Sequence, residues 1–186
     1  MADTLFEVAP NIESRLAGVK FRGQDGAFVD FEIGPPSEPE FYGMGHALYG
    51  TALDYARYLG MYLNGGTLDG QRILAESTVT AMLANQIGDI SVPRLPSFTP
   101  LSADFELFSG RRLTHSMGFV RSEEDTPGMR HAGSQGWAGV LNSHYWFDPN
   151  ANLFGLIMTQ SLPFADPRFM STYDAFERAA YQSAAV

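Results

Sequence analysis

The sequence predicts an α+β fold, and three observations carry that prediction. Two helical patterns come first, between residues 51 and 86. Two apolar segments follow, 140–147 and 153–160, joined by Asp-Pro-Asn-Ala-Asn as a hairpin would be. A last helix then opens at Asp166-Pro167 and has an apolar stripe with which to cover one face of that hairpin. Helices segregated from a short antiparallel sheet are the α+β arrangement.

Taken in order, the first residues read as a loop. Residues 16–33 (LAGVKFRGQDGAFVDFEI) form a hairpin with Asp25-Gly26 at its turn. Residues 34–45 (GPPSEPEFYGMG) hold too much proline and glycine for regular structure and make a long connecting loop. Residues 51–64 (TALDYARYLGMYLN) are a helix, because Ala52, Tyr55, Ala56, Leu59, Tyr62 and Leu63 recur on one face of a 3.6-residue period. Thr51 caps its start, Asp54 suits the positive end of the helix dipole, and Gly65 ends it in the left-handed conformation. A turn at Asp69-Gly70 leads to a second helix, 77–86, with Val79, Met82 and Leu83 inward. Residues 88–112, with Pro93, Pro96 and Pro100, are irregular, and an irregular segment of that length is often functional. Residues 115–121 read as a strand. Met170, Tyr173, Phe176 and Ala180 form the stripe of the last helix.

The totals narrow the classes of function. A chain of 186 residues makes one domain with a core of its own. Its formal net charge of −9, without long acidic runs, argues against nucleic acid and anionic membranes as partners. The absence of cysteine excludes disulfides, thiolate metal sites and cysteine nucleophiles. No apolar run approaches the ~20 residues that span a bilayer. MADTLFEVAP lacks the basic and apolar regions of a signal peptide, which makes a cytoplasmic location the expectation.

The usual chemical motifs are mostly missing. Among His46, His115, His131 and His144 no two stand at i, i+4 on a helix, and no carboxylate stands at ligand spacing, so neither a metal site nor a cofactor is expected. Gly43, Gly45 and Gly50 are not followed by Lys-Ser or Lys-Thr, as a phosphate loop requires. There is no Gly-x-Ser-x-Gly elbow. A Ser-x-x-Lys pair is also absent, since Lys20 is the only lysine and Ala17 stands three residues before it. Tyr62-Leu63-Asn64 spells Tyr-x-Asn, but Tyr62 lies on the inward stripe of its helix and reads as a core aromatic. What remains is HAGSQGWAG, 131–139, a glycine-rich run entering a strand, where backbone lies open to close approach.

Two long blocks resemble a known family. GHALYGTALDYARYLGMYLNGGTLDGQRIL is similar to the segment of serine β-lactamase-like hydrolases in which a glycine-rich loop enters a helix ending in Asn-Gly-Gly. GWAGVLNSHYWFDPNANLFGLIMTQSLPFADPR resembles their final hairpin. The nearest match is to the class C-like carboxylesterases, relatives of class C β-lactamases and DD-peptidases. Such enzymes acylate the serine of a Ser-x-x-Lys motif with help from a tyrosine in Tyr-x-Asn or Tyr-x-Ser, and carry a third motif, Lys/His/Trp-x-Gly, on a strand edge. The first two motifs belong to the N-terminal half of the family and are absent here. MADTLF resembles a point shortly past the tyrosine motif. The resemblance therefore implies that residues 1–186 are the C-terminal portion of a larger serine hydrolase domain, inactive alone.

Two spellings compete for the third motif, His131-Ala132-Gly133 and Trp137-Ala138-Gly139. Spacing favours the second. In the carboxylesterases the motif closely precedes an Asp-Pro turn, and Trp137 stands twelve residues before Pro149, with His131 farther upstream. The esterases usually read Trp-Gly-Gly, so Ala138 adds a methyl where the substrate would lie. The resemblance implies that Val140 donates its N–H to the oxyanion, and that Trp137, Gly139 and Val140 form the catalytic strand. It also implies that Ala138 contacts substrate, joined by Tyr42, Met44 and His46 from the glycine-rich loop. A tryptophan in place of lysine supplies no positive charge for a β-lactam carboxylate, so the expected partner is a small-molecule ester or amide, with neutral esters favoured. An exposed apolar sheet edge would call for the absent N-terminal segment or for self-association. The alternative reading is a non-catalytic binding or interaction module derived from the same fold. A third is an independent hydrolase using Ser134 or Ser143.

Overall fold

The computed structural model describes residues 1–8, 12–33, 39–43, 45–108 and 110–184. A 3-10 turn at Glu13–Arg15 precedes the antiparallel pair β1 (Lys20–Arg22) and β2 (Phe28–Asp30), whose turn holds Gly26 at φ +83°. Helix α1 (Ala52–Leu63) starts where the Asp54 N–H donates to Thr51 Oγ1 at 3.2 Å, and it ends before Gly65 at φ +58°. A small hairpin, β3 (Thr67–Leu68) and β4 (Gln71–Arg72), leads into α2 (Glu76–Leu83). Through the irregular stretch that follows, a lone bridge ties Leu95 to Phe105. Strands β5 (Leu113–His115), β6 (Val120–Ser122), β7 (Gln135–Ala138), β8 (His144–Asp148) and β9 (Leu153–Ile157) then form one antiparallel sheet in chain order. Strand β10 (Ser161–Leu162) leaves that sheet to pair in parallel with β1, and α3 (Pro167–Ala184) follows. The fold is α+β. Among the described residues, no helix is long and apolar enough to cross a membrane.

Two strands depart from the sequence expectation. The segment 115–121 is not one strand but the junction of β5 and β6, closed by a turn in which the Ser116 N–H donates to the Phe119 carbonyl at 2.9 Å. The segment 140–147 is extended only from His144. Before it, Gly139 donates to Ser143 O at 2.8 Å, Asn142 donates to Gly139 O at 3.0 Å, and Asn142 takes φ +60°. That turn creates β7, which the apolar pattern does not reveal. Gln135 and Gly136 open the strand, yet Gln135 is fully buried. Its amide donates to the carbonyls of Leu83 and Gly133 and accepts from Ser116 Oγ.

Helices cover both faces of the sheet, α3 one of them as expected and α1 the other. All five residues of β8 are buried for that reason. Side chains alternate along a strand, so Tyr145 and Phe147 face α1, where Phe147 stacks on Tyr62 at 5.4 Å beside Leu59 and Phe119. His144 and Trp146 face α3, where Tyr173 lies 4.9 and 5.8 Å from their rings. Trp146 sits directly opposite Gly155 on β9. A Cβ at position 155 would fall 1.9 Å from Trp146 Cη2, so only glycine leaves room for the indole.

The inward line of α3 is Tyr173 and Glu177, with Phe176 exposed. Glu177 is fully buried and paired with the equally buried Arg130. Arg130 Nε donates to Oε1 at 2.8 Å, and Nη2 donates to Oε2 at 2.6 Å and to the Tyr173 hydroxyl at 3.0 Å. At the far end of β8, Asp148 accepts from Asn150 N, Ala151 N, His131 N, His131 Nδ1 and the Tyr181 hydroxyl. Burial pushes its carboxyl up, but those hydrogen bonds outweigh it and hold the group below the usual aspartate range.

Three outcomes follow. Gly155→Ala costs about 1–3 kcal/mol by overpacking, read as a lower urea midpoint at unchanged slope. Glu177→Ala strands a buried guanidinium and costs roughly 3–5 kcal/mol, whereas the double change Arg130→Met with Glu177→Leu recovers most of that loss. Because the folded pKa of Asp148 lies below its ordinary 3.8, its contribution is complete above that value and fades as the pH falls through it. Wild-type stability therefore drops more steeply than that of Asp148→Asn between neutral and acidic pH.

Candidate functional site

A cavity of about 340 Å³ opens against the C-terminal end of β7. Gly136, Trp137 and Ala138 from β7 and His144 from β8 form one wall. Val92, Pro93, Leu95, Phe105, Glu106, Leu107 and Arg111 also line it, so the irregular 88–112 segment supplies much of a largely apolar chamber. Phe164 and Tyr173 close the end nearest α3, and Val140 stands at the rim, 62% exposed.

The sheet register leaves this end of β7 half-paired. β6 meets β7 only at Gln135 and Gly136, whereas β8 pairs with all four residues. The tight Ser116–Phe119 turn carries the chain away before it can cover Trp137 and Ala138. One edge of the backbone there faces open space. The Gly139 N–H is already committed to Ser143 O. Among the described residues the Val140 N–H has no acceptor. Trp137 is 48% exposed, and its indole meets the His115 ring edge-on at 5.6 Å between centroids.

Trp137, Ala138 and Val140 all border the cavity, and Gly139 sits between them in the turn. Tyr42 and His46 are exposed and do not line it. Tyr42 instead hydrogen-bonds to Glu7 and packs on Phe6 at 5.0 Å. Met44 lies outside the described residues. Of the two competing motif spellings, only Trp137-Ala138-Gly139 reaches the chamber. His131 is bound to Asp148 at 2.7 Å and does not line it. Ser134 is fully buried, with its hydroxyl donated to His131 O at 2.6 Å. The Ser143 hydroxyl donates to Thr159 O and accepts from Thr159 N. Neither serine faces the chamber. Tyr62, the spelled Tyr-x-Asn tyrosine, lies in the core on the other side of the sheet, where burial raises its pKa.

Two residues of the chamber are not recognisable in the sequence. His115 borders it with Nδ1 engaged by the Ser116 carbonyl at 2.5 Å. His144 is almost completely buried, and its pKa is pushed down to about 4, first by burial and then by the nearby Arg130 guanidinium. It is therefore neutral at neutral pH. Among the described residues, no group of three or more His, Asp or Glu side chains could hold a metal ion.

Comparisons with known proteins identify the family and the fold. A Beta-lactamase family model matches residues 1–180. Protein Rv1367c of Mycobacterium tuberculosis (strain ATCC 25618 / H37Rv) is 29% identical over 168 residues, which make up 88% of this chain and 40% of that protein. The chain thus spans less than half the length of this relative. Simvastatin synthase (LovD) from Aspergillus terreus superposes with a TM-score of 0.77 at 22% identity, over 97% of this chain and 46% of that one. EstCE1, a hydrolase with promiscuous acyltransferase activity, gives 0.62 at 17% identity over 96% and 46%. A penicillin-binding protein homolog from Caulobacter crescentus gives 0.58 at 18% identity over 99% and 48%. At those identities the structural likenesses establish the fold alone, while the family match spans nearly the whole chain, and the chain belongs to the Beta-lactamase family.

Proposed function

We propose that this chain supplies the oxyanion strand and acyl pocket of a serine acyl-enzyme hydrolase or acyltransferase that acts on carboxylic esters. The nucleophilic serine and its lysine and tyrosine partners would come from residues outside 1–186. The observation that carries this reading is the unengaged Val140 N–H at the rim of an apolar chamber, on a strand whose edge is bare.

When a serine attacks an ester carbonyl, negative charge develops on the carbonyl oxygen. A preorganised N–H aimed at that oxygen stabilises the tetrahedral species without having to reorganise. Val140 N–H fills that part, and in this family the second donor is the N–H of the serine itself. The acyl chain would lie in the chamber, against Trp137 and Ala138 on one side and Leu95 and Phe105 on the other. Trp137 brings no charge to the mouth, which favours an uncharged ester over a substrate with a carboxylate beside the scissile bond. The Ala138 methyl narrows the approach. Strand β9 pairs only with β8 among the described residues, so its other edge is where the rest of the domain, or a second copy, would add a strand.

The chain by itself turns over no 4-nitrophenyl butyrate above the buffer rate, and a rate abolished by Ser134→Ala would sink this reading. In the complete protein, which is expected to carry Ser-x-x-Lys, Val140→Pro removes the donor and lowers kcat by roughly 10²–10³-fold. Val140→Ala, which keeps the N–H, loses far less. Equal losses in the two variants would assign Val140 a packing role.

A further inference from the structure

The chamber does not end in solid protein. A second cavity, of about 350 Å³, adjoins it beside α3. The two spaces share four lining residues, Glu106, Leu107, Arg111 and Tyr173. Along the chain the crossing is stepwise. Phe105 lines the chamber alone, Leu107 lines both spaces, and Phe108 lines the second alone. On α3, Tyr173 lines both, whereas Met170 and Asp174 line only the second. Glu106 and Arg111 are exposed, so the inner part of the partition is the half-buried Leu107 and the buried Tyr173.

One buried group holds both halves of that partition. Arg130 Nη2 donates to the Tyr173 hydroxyl at 3.0 Å, and the same guanidinium lies 4.6 Å from the ring centroid of Phe108, the residue after Leu107. The Tyr173 ring cannot swing aside to admit a longer chain without breaking its bond to a buried cation. The space behind the partition is itself suited to hydrocarbon, since Leu107, Phe108, Met129 and Met170 line it. An acyl chain whose carbonyl sits at Val140 runs towards α3 and meets Tyr173 and Leu107. Each methylene that finds room in the chamber adds to the binding. A methylene beyond the partition stays in water or forces the packing apart, and gains nothing.

We propose that Leu107 and Tyr173 are specificity-determining residues, which fix the longest acyl chain the chamber accepts by closing it off from the second cavity. This deepens the reading of the chamber as an acyl pocket and rests on it. The substrates are then esters of short neutral acyl chains, and a change at the partition, not at the mouth, admits longer ones.

The test titrates this chain calorimetrically with methyl esters from butanoate to decanoate, in which acyl length is the only variable. Binding tightens about fourfold with each methylene that the chamber accommodates, then stops tightening at one length. In Leu107→Ala the rise continues for roughly two more methylenes, a gain of about tenfold for the longest ester. Leu107→Trp thickens the partition and moves the break to shorter chains, a result that does not depend on the alanine variant folding. Met170→Trp fills the second cavity from its own side. It leaves the wild-type profile unchanged, because Met170 does not line the chamber, and it removes the extension when combined with Leu107→Ala. A wild-type affinity that climbs to decanoate without a break overturns the proposal before any variant is made. So does a break that neither Leu107 variant moves, or an extension that survives Met170→Trp. Those outcomes leave the acyl-pocket reading standing, whereas failure of every ester to bind removes both.

Discussion

Strand β8 is buried along its whole length, and the rest of the structure is arranged around that constraint. A strand covered on both faces needs an apolar surface on each side and a partner for every polar group it carries. On the α1 side it presents Tyr145 and Phe147, which complete an aromatic cluster with Tyr62 and Phe119. On the α3 side it carries His144, Trp146 and Asp148, two of them polar. Asp148 is met by five donors from three parts of the chain. Trp146 is accommodated because β9 has glycine across from it. The ring nitrogens His144 Nε2 and Trp146 Nε1 receive no hydrogen-bond partner among the described residues.

The Arg130–Glu177 pair lies within that second face, where hydrocarbon would pack at least as well. What an ion pair adds is geometry. A guanidinium fork meeting both carboxylate oxygens fixes distance and orientation together. The bond from Nη2 to the Tyr173 hydroxyl extends that control one helical turn along α3. Tyr173 also closes one end of the chamber. The ion pair thus sets how far α3 is rotated and, through Tyr173, the shape of the chamber's inner end.

How well each feature could be read from the sequence follows from how local its cause is. Helix α1 was legible because its cap, its period and its terminating glycine all lie within residues 51–65, and the hairpin at Gly26 for the same reason. The Trp137-Ala138-Gly139 motif was legible because three adjacent residues spell it. Strand β7 was not, because Gln135 is held by groups at positions 83, 116 and 133, and no local period announces it. The splitting of 115–121 was hidden because an apolar run continues across a turn made by backbone hydrogen bonds. The sequence gives no reason to send Tyr42 towards Phe6 rather than the chamber, since the direction of a glycine-rich loop is decided by tertiary contacts. His144 was counted among scattered histidines because its significance lies in what surrounds it, rings at 105, 164, 169 and 173 brought from either side of it in the chain.

The electrostatics of the chamber point the same way as its shape. The chain carries a net charge of −9, and the chamber lining is mostly apolar, with Glu106 and Arg111 as its charged members. Arg111 also reaches Glu124 at 3.6 Å. Position 137 holds an uncharged indole. Burial keeps His144 neutral, and Arg130, although close enough to depress its pKa, spends its own charge on Glu177. A charged acyl chain entering this space would lose hydration against hydrocarbon, and the one cation on the lining, Arg111, already has Glu124 at 3.6 Å. A neutral chain loses far less hydration on entering. The preference for a neutral chain therefore comes from the hydrocarbon of the lining and the indole at position 137, with Arg111 engaged by Glu124.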